Sequence, residues 1–185
     1  MVYYKIKFYE KPCSLYLLPD KRLNKMNNSI DKKFMQLALQ EAEKAGQKDE
    51  VPIGSIIVGK DYDILGTGHN LTIGLNDPTA HAEIIAMREA AKKTCNYRLP
   101  DTTLYVTIEP CIMCMGAIIH ARIKRVVFGA KDLKWGAAGS LYNFSSDVRL
   151  NHSPEIVAGV YEDLCRDKIQ NFFRSKRKLK SKRKD

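Results

Sequence analysis

Two short motifs contain the residue types from which a metal-dependent hydrolase could be built. His81 and Glu83 are separated by one alanine, and Cys111 and Cys114 follow Pro110 at a spacing of three. One imidazole and two thiolates supply three zinc ligands, and three protein ligands leave a fourth position for water, as in catalytic zinc sites. Glu83 then remains as a carboxylate that could accept and return the proton of that water. The two motifs together predict a catalytic Zn²⁺ centre, one ion per subunit, with Glu83 as the catalytic proton shuttle.

The spacing within each motif limits where the metal could lie. Cys111 and Cys114 share one side of a helix if that helix begins at Cys111. Residues two apart in a helix interior point about 200° away from each other, so His81 and Glu83 can serve one ion only from beyond the helix end. We therefore expect the N-terminal ends of two helices to face one site, where their unpaired N–H groups favour the thiolate form.

Each motif has a simpler interpretation when it is taken alone. A C-x-x-C pair can be a redox pair or a chance occurrence, and a single histidine is more often structural. The occurrence of both motifs, with the turn residues 77–79 directly before His81, favours the metal site over these alternatives.

Composition is typical of a folded cytoplasmic protein. The chain has 185 residues, 44% of them hydrophobic, which suits one domain with its own core. No apolar run approaches the ~18 residues of a membrane span, and the apolar run at 14–18 is too short for a secretory signal. The five cysteines are an odd, sparse set, which favours reduced thiols and a cytoplasmic location.

The net charge of +10 is concentrated at the two ends of the chain. Residues 174–185 contain eight Lys or Arg and one Asp, and residues 1–25 contain six basic and two acidic residues. The stretch between them has 17 basic and 18 acidic residues. Basic ends on a nearly neutral body predict a polyanionic partner, with nucleic acid the first candidate.

Hydrophobic periodicity predicts an α/β domain with helices on both faces of a sheet. A helix is expected over residues 31–45, with Ser29 or Asp31 as its N-cap. The other predicted helices cover residues 79–93, 111–121 and a segment that begins near 162. The predicted strands cover residues 54–59, 64–70, 103–108, 125–129 and 155–160. We expect an N-terminal extension over 1–28 that is poorly ordered, a zinc-dependent catalytic domain over 29–174 and a basic tail over 175–185.

The metal motifs and their surroundings resemble one family, the bacterial tRNA-specific adenosine deaminases of the cytidine/deoxycytidylate deaminase superfamily. The H-x-E and P-C-x-x-C pattern is the signature of that superfamily. The matching stretches are residues 50–54, 68–70, 77–83, 97–99, 104–117, 125–132, 136–140 and 167–174. The resemblance implies a three-layer α/β/α cytidine-deaminase-like fold with a five-stranded mixed sheet, a homodimer, and no membrane association. It also implies conversion of adenosine to inosine at the wobble position of a tRNA anticodon, typically in an arginine tRNA.

The resemblance also implies roles for residues outside the metal motifs. Asn70 matches the residue that hydrogen-bonds the flipped nucleotide, although the sequence alone favours a turn residue that ends a hairpin. Phe173 and Arg174 match the segment that contacts the anticodon stem-loop, although aromatic residues on a helix are usually buried. Asp132 lies on a loop that is near the substrate in the family.

Two other functions remain open on the sequence. A free-base or nucleotide deaminase acting on guanine, cytosine or deoxycytidylate would share the zinc motifs. A catalytically silent RNA-binding subunit would be expected to lack the proton shuttle, which is present here as Glu83. The tail over 176–185 either binds tRNA phosphates beyond the anticodon loop or is a solvated run of charge.

Overall fold

Five strands form one mixed sheet at the centre of the molecule. The computed structural model describes the backbone of residues 21–181 and the side chains of 28–179, so the predictions for 1–20 and 182–185 lie outside the described residues. The strand order is β2-β1-β3-β4-β5. The strands are β1 (Gly54–Val58), β2 (Ile64–His69), β3 (Thr103–Ile108), β4 (Arg125–Ala130) and β5 (Glu155–Ala158). Strand β1 is antiparallel to β2 and β3, whereas β3, β4 and β5 run parallel.

Four α-helices cover the two faces of this sheet. They are α1 (Lys21–Gln47), α2 (Ala82–Thr94), α3 (Ile112–Ala121) and α4 (Glu162–Ser181). One buried cluster lies between the sheet and α2 and α3, and a second lies between the sheet and α1 and α4. The five-stranded α/β/α fold that the resemblance implies is therefore confirmed. No helix within the described residues is long and apolar enough to cross a bilayer.

Successive side chains of the inner strands pack alternately in the two buried clusters. Ile56 of β1 packs in the cluster beneath α1, whereas its neighbour Ile57 packs in the cluster beneath α2 and α3. Leu104 and Tyr105 of β3 divide between the two clusters in the same way. Strands covered on both faces need apolar residues at successive positions, which explains the unbroken apolar runs in the sequence.

Two glycines let α2 approach strand β2 at backbone distance. A Cβ added at Gly68 would lie 2.2 Å from the carbonyl oxygen of Ala82, and one at Gly66 would lie 2.3 Å from that of Ala86. Any side chain at either position would push the helix away from the sheet. Because α2 begins at Ala82, these contacts fix the distance between the first turn of the helix and the sheet.

Helix α1 differs from the prediction, because it begins at Lys21 and not near Asp31. Ser29 and Asp31 therefore lie inside the helix and are not its N-cap. The Asp31 carboxylate, 4% exposed, accepts two hydrogen bonds from Arg125, at 2.7 and 2.9 Å, and one from the Tyr105 hydroxyl at 3.0 Å. These partners are 94 and 74 residues away in sequence, so no local pattern could reveal them.

The remaining elements lie within a few residues of their predicted positions, with small differences at the ends. Helix α2 begins three residues later than predicted, because Asp77 closes a turn in which its Oδ1 accepts the Thr79 N–H at 2.8 Å. Helix α4 continues through Ser181. The boundaries that we placed at residues 28 and 174 thus fall within α1 and α4 and do not separate secondary-structure elements.

Candidate active site

The N-terminal ends of α2 and α3 meet at the cluster of predicted metal ligands. His81 is the N-cap of α2 and Cys111 is the N-cap of α3, each with an extended backbone. The Nδ1 atom of His81 lies 3.7 Å from Cys111 Sγ and 3.6 Å from Cys114 Sγ. These three residues form a group in which every potential ligand atom lies within 4.8 Å of the others. The structure therefore shows the arrangement of two helix ends that the residue spacing predicts.

The distances within this cluster fit a tetrahedral zinc ion. Bonds of about 2.1 Å to nitrogen and about 2.3 Å to sulfur place those two atoms about 3.6 Å apart at the tetrahedral angle. The observed nitrogen–sulfur distances of 3.6 and 3.7 Å agree with that value. One imidazole and two thiolates are also the ligand types that zinc favours. The donor set and its spacing therefore fit zinc without rearrangement.

The two cysteines of this cluster differ in proton affinity. A hydrogen bond from the Cys114 thiol, helped by one from the His81 ring, lowers the pKa of Cys111 to about 4. The same hydrogen bond to Cys111, together with burial, raises the pKa of Cys114. The hydrogen bond to Cys111 also raises the pKa of His81. Zinc binding would displace the proton that Cys114 keeps. Metal affinity should therefore decrease as the pH is lowered.

Glu83 projects into the cavity beside this cluster. Its side chain is buried, with 3% of the residue exposed, and burial raises the pKa of its carboxyl to about 7. A carboxyl with a pKa near neutrality is suited to both accepting and donating a proton. Glu83 therefore has the burial and the pKa of a general acid and base.

A cavity of about 660 Å³ opens above His81, Glu83 and Cys111. Its walls include apolar side chains such as Val51, Ile53 and Ile108. A few polar groups in largely apolar walls are typical of a small-molecule or nucleobase site.

Asn70 also lines this cavity and is oriented by the backbone of α2. Its Oδ1 accepts a hydrogen bond from the Ala82 N–H at 3.0 Å, and the residue is only 4% exposed. Asn70 follows the last residue of β2, as the hairpin interpretation predicts, but its side chain is anchored. The amide oxygen already accepts this bond, and the amide nitrogen remains as a donor for a ligand.

The loop on one side of the cavity is held by Glu109, a residue whose role the sequence did not reveal. Its carboxylate, 2% exposed, accepts the N–H groups of Asp132 at 3.1 Å, Ala138 at 3.0 Å and Ser140 at 2.9 Å, and also the Ser140 hydroxyl. A Cβ at Gly136 would lie 2.4 Å from the Glu109 carboxyl carbon. The loop therefore wraps tightly around one buried carboxylate.

A second buried carboxylate holds the loop on the other side. Glu50, 1% exposed, accepts the N–H groups of Ile73 at 2.8 Å and Gly74 at 2.7 Å, and the Thr72 hydroxyl at 3.0 Å. Thr72 lines the cavity. The only sequence signal for these two anchors was their place in the family-like motifs, because their partners lie more than twenty residues downstream.

Of the other predicted substrate-binding residues, Asp132 lines the cavity but Phe173 and Arg174 do not. Phe173 is 43% exposed, which excludes the core position usual for an aromatic residue on a helix. Phe173 and Arg174 line a separate groove whose other cationic residues are Lys134 and Arg177. Lys134 belongs to the loop that also lines the cavity, so the groove and the cavity are neighbours.

Comparison with known proteins places the fold and the cluster in one family. Residues 28–130 match the family model described as the cytidine and deoxycytidylate deaminase zinc-binding region. A tRNA-specific adenosine deaminase of Haemophilus influenzae is 49% identical over 156 residues, which are 84% of this chain and 90% of that protein.

Solved structures give the same result. One chain from a study of A-to-I editing by tRNA:A34 deaminases at the wobble position is 45% identical, with a TM-score of 0.71, and the match covers 74% of this chain and 98% of that one. A guanine deaminase from Bacillus subtilis is 39% identical, with a TM-score of 0.53, over 59% of this chain and 69% of that one.

This chain therefore belongs to the cytidine and deoxycytidylate deaminase family, a family of zinc-binding enzymes. Within that family its relatives include tRNA-specific adenosine deaminases, so the resemblance to that branch is confirmed.

Proposed function

We propose that this chain converts adenosine to inosine at the wobble position of a tRNA anticodon, with an arginine tRNA as substrate. The observation that carries the proposal is the buried Glu83 carboxyl beside a His-Cys-Cys cluster, in a cavity that admits a nucleobase. The relatives and the solved structure that act on tRNA support the choice of substrate.

His81, Cys111 and Cys114 would hold one zinc ion per subunit. Bound there, zinc supplies the Lewis acidity that makes a water molecule nucleophilic near neutral pH. The protein then provides proton transfer and positioning.

Glu83 moves the protons of the reaction. It accepts a proton from the attacking water and delivers it to the ring nitrogen next to the carbon that bears the amine. It then takes the proton of the hydroxyl group that has been added to that carbon and gives it to the departing amine, so water and adenosine give inosine and ammonia. A pKa of about 7 lets the Glu83 carboxyl hold the proton between these transfers at neutral pH.

The cavity walls bind and orient the base. Chemistry on a base requires it to leave its stack and enter a pocket, where apolar walls replace the neighbouring bases. Val51, Ile53 and Ile108 supply such walls, and the Asn70 amide nitrogen, fixed by the bond to Ala82, donates to an acceptor on the nucleotide.

The anticodon loop would extend from the cavity into the neighbouring groove. Phe173 offers an exposed ring, and Arg174 and Arg177 offer charge for phosphates. Asp132 lines the cavity, and we assign it to contact with the bound nucleotide. We assign residues 176–185 to phosphates farther along the stem, so deleting them should weaken tRNA binding and reduce its salt dependence.

We also propose a homodimer and a cytoplasmic location. Several large apolar side chains near the cavity loops are exposed, including Ile73 at 66% and Leu75 at 56%, and a second copy could cover them. Light scattering on purified protein would test the dimer, since a mass of one chain at micromolar concentration would reject it.

The deciding experiment offers the zinc-loaded protein an anticodon stem-loop with adenosine at the wobble position, and separately the free bases. We expect inosine and ammonia from the stem-loop and no ammonia from the free bases. Glu83→Gln should keep one zinc per chain and the native circular dichroism spectrum but lose at least about 100-fold in kcat. Retained turnover in this variant would reject the assigned proton shuttle.

The alternative is deamination of a free base, and the guanine deaminase similarity supports it. Ammonia released from guanine, with no inosine formed in the stem-loop, would establish that function and reject the tRNA substrate. A catalytically silent subunit would release ammonia from neither.

A further inference from the structure

Trp135 is the single tryptophan of the chain, and it is 64% exposed at the mouth of the catalytic cavity. Tryptophan is highly buried on average, because leaving its ring in water costs a large part of its transfer free energy. An exposed tryptophan that lines a binding cavity presents its ring to a ligand in that cavity.

The backbone beneath this ring is fixed before any ligand arrives. The Asp132 carboxylate accepts the N–H groups of Lys134 at 2.9 Å and Trp135 at 3.2 Å, and the Asp132 carbonyl accepts the Gly136 N–H at 2.9 Å. The same loop is anchored from below by the buried Glu109 carboxylate. A platform held in this way loses little conformational entropy when a ligand stacks on it.

Adjacent residues of this loop contribute to the two neighbouring sites. Trp135 lines the cavity that contains His81 and Glu83, whereas Lys134 lines the groove with Arg174 and Arg177. The residues that line this groove include three cations and no carboxylate. A nucleic-acid strand whose target base enters the cavity and whose phosphates follow the groove would therefore run beside residues 134–135, where the Trp135 ring is exposed.

We propose that Trp135 is the stacking platform for the base next to the target nucleotide. The inference rests on the proposed function, because it assumes a single-stranded RNA loop as substrate. A flat ring accepts any base, since every base has a π-face, while the cations of the groove hold the adjoining phosphates. Trp135 is thus a binding residue that sets the affinity for the loop and takes no part in proton transfer.

Intrinsic fluorescence can report on this contact directly, because Trp135 is the only tryptophan in the chain. The zinc-loaded, full-length Glu83→Gln protein is titrated with the anticodon stem-loop. This variant is used because it should bind the stem-loop without converting it. We expect saturable quenching of the emission. Two further stem-loops carry an abasic site immediately 5′ or 3′ of the wobble position. Loss of quenching with one of them identifies the stacked base, whereas full quenching with both overturns the proposal.

Substitution separates stacking from simple bulk. Trp135→Leu should raise KM for the stem-loop by about 5- to 150-fold, the range expected for one lost base–aromatic stack, and leave kcat within about 3-fold. Trp135→Phe should restore most of the affinity. Leu133→Ala, a change at a 78% exposed neighbour in the same loop, serves as the matched control and should leave KM within about 2-fold.

The outcomes distinguish failure of this inference from failure of the proposed function. If wild-type protein deaminates the stem-loop but Trp135→Leu has an unchanged KM, the platform is wrong and the function stands. If emission changes on dilution of the protein and not on addition of RNA, Trp135 lies between two copies of the chain, and the platform is again rejected. If wild-type protein forms no inosine in the stem-loop, the proposed function itself fails.

Discussion

Replacing Glu109 by glutamine should destabilise the protein and weaken substrate binding while leaving the metal in place. The carboxylate accepts four hydrogen bonds, and one of its oxygens faces both the Asp132 N–H and the Ser140 hydroxyl. A glutamine can keep its oxygen toward the Ala138 and Ser140 N–H groups, but its amide nitrogen then faces the Asp132 N–H. Two charged hydrogen bonds become neutral, and the partly buried Asp132 N–H is left unpaired.

The size of the effect follows from those changes. A hydrogen bond to a charged group contributes roughly 1.5–3 kcal/mol and a neutral one about 1, while an unpaired buried donor costs about 1–3 kcal/mol. The free energy of unfolding should therefore fall by about 3–5 kcal/mol. For a domain of this size that loss lowers Tm by roughly 6 to 20 °C.

Urea unfolding followed by far-ultraviolet circular dichroism measures the loss, and stem-loop kinetics measure KM. We expect KM to rise because Asp132 and Trp135 belong to the loop that Glu109 holds. Glu89→Gln is the matched control, since the exposed Glu89 carboxylate accepts only from Thr67 and its loss should cost under about 1 kcal/mol. An unchanged unfolding midpoint and an unchanged KM in the Glu109 variant would refute the anchoring role.

Three further predictions concern other parts of the molecule. Gly136→Ala should lower stability and activity together, because its Cβ would lie 2.4 Å from the buried carboxyl carbon of Glu109. Gly116→Ala, whose Cβ would have nothing within 4 Å, should raise the free energy of unfolding by about 0.5–1 kcal/mol. Thermal unfolding of the two variants compares them. Asp31→Ala should lower the free energy of unfolding by about 3 kcal/mol, measured in urea, with kcat/KM nearly unchanged at 20 °C, because it removes the buried carboxylate and leaves the half-buried Arg125 only the exposed Glu155 as an ion-pair partner, far from the cavity. After zinc removal by a chelator, iodoacetamide at pH 6 should alkylate Cys111, because its pKa of about 4 makes it a thiolate at that pH. Cys165 should be spared, because burial raises its pKa to about 11. Mass spectrometry identifies the alkylated residue, and restored zinc should protect Cys111.

The sequence was sufficient for the parts of the site that depend on local spacing. One intervening alanine forces His81 and Glu83 to opposite sides of a helix interior, so a shared site had to lie beyond a helix end. Both helices begin one residue after a ligand of the cluster, His81 or Cys111, as that argument requires. The strands could also be predicted, because strands buried on both faces give continuous apolar runs between turns.

The parts that depend on distant contacts could not be predicted. Asp31 is a residue type that is common at helix N-caps, but its partner Arg125 lies on a strand 94 residues later. Glu109 reads as one residue of a motif, and only the folded loop shows that it holds Ser140, 31 residues downstream. Trp135 has no periodic context at all, so its position at the cavity mouth emerges only from the loop that carries it.

The glycine contacts beneath α2 have a consequence for how this protein tolerates substitution. Gly66 and Gly68 touch no metal ligand, yet a methyl group on either would collide with a main-chain carbonyl of the helix that His81 precedes. A scan of all single variants, scored by the deamination proposed above, should therefore find these two strand positions nearly as intolerant as the proposed zinc ligands. Among related sequences, both strand positions should therefore keep glycine, so that the helix can lie directly against the sheet.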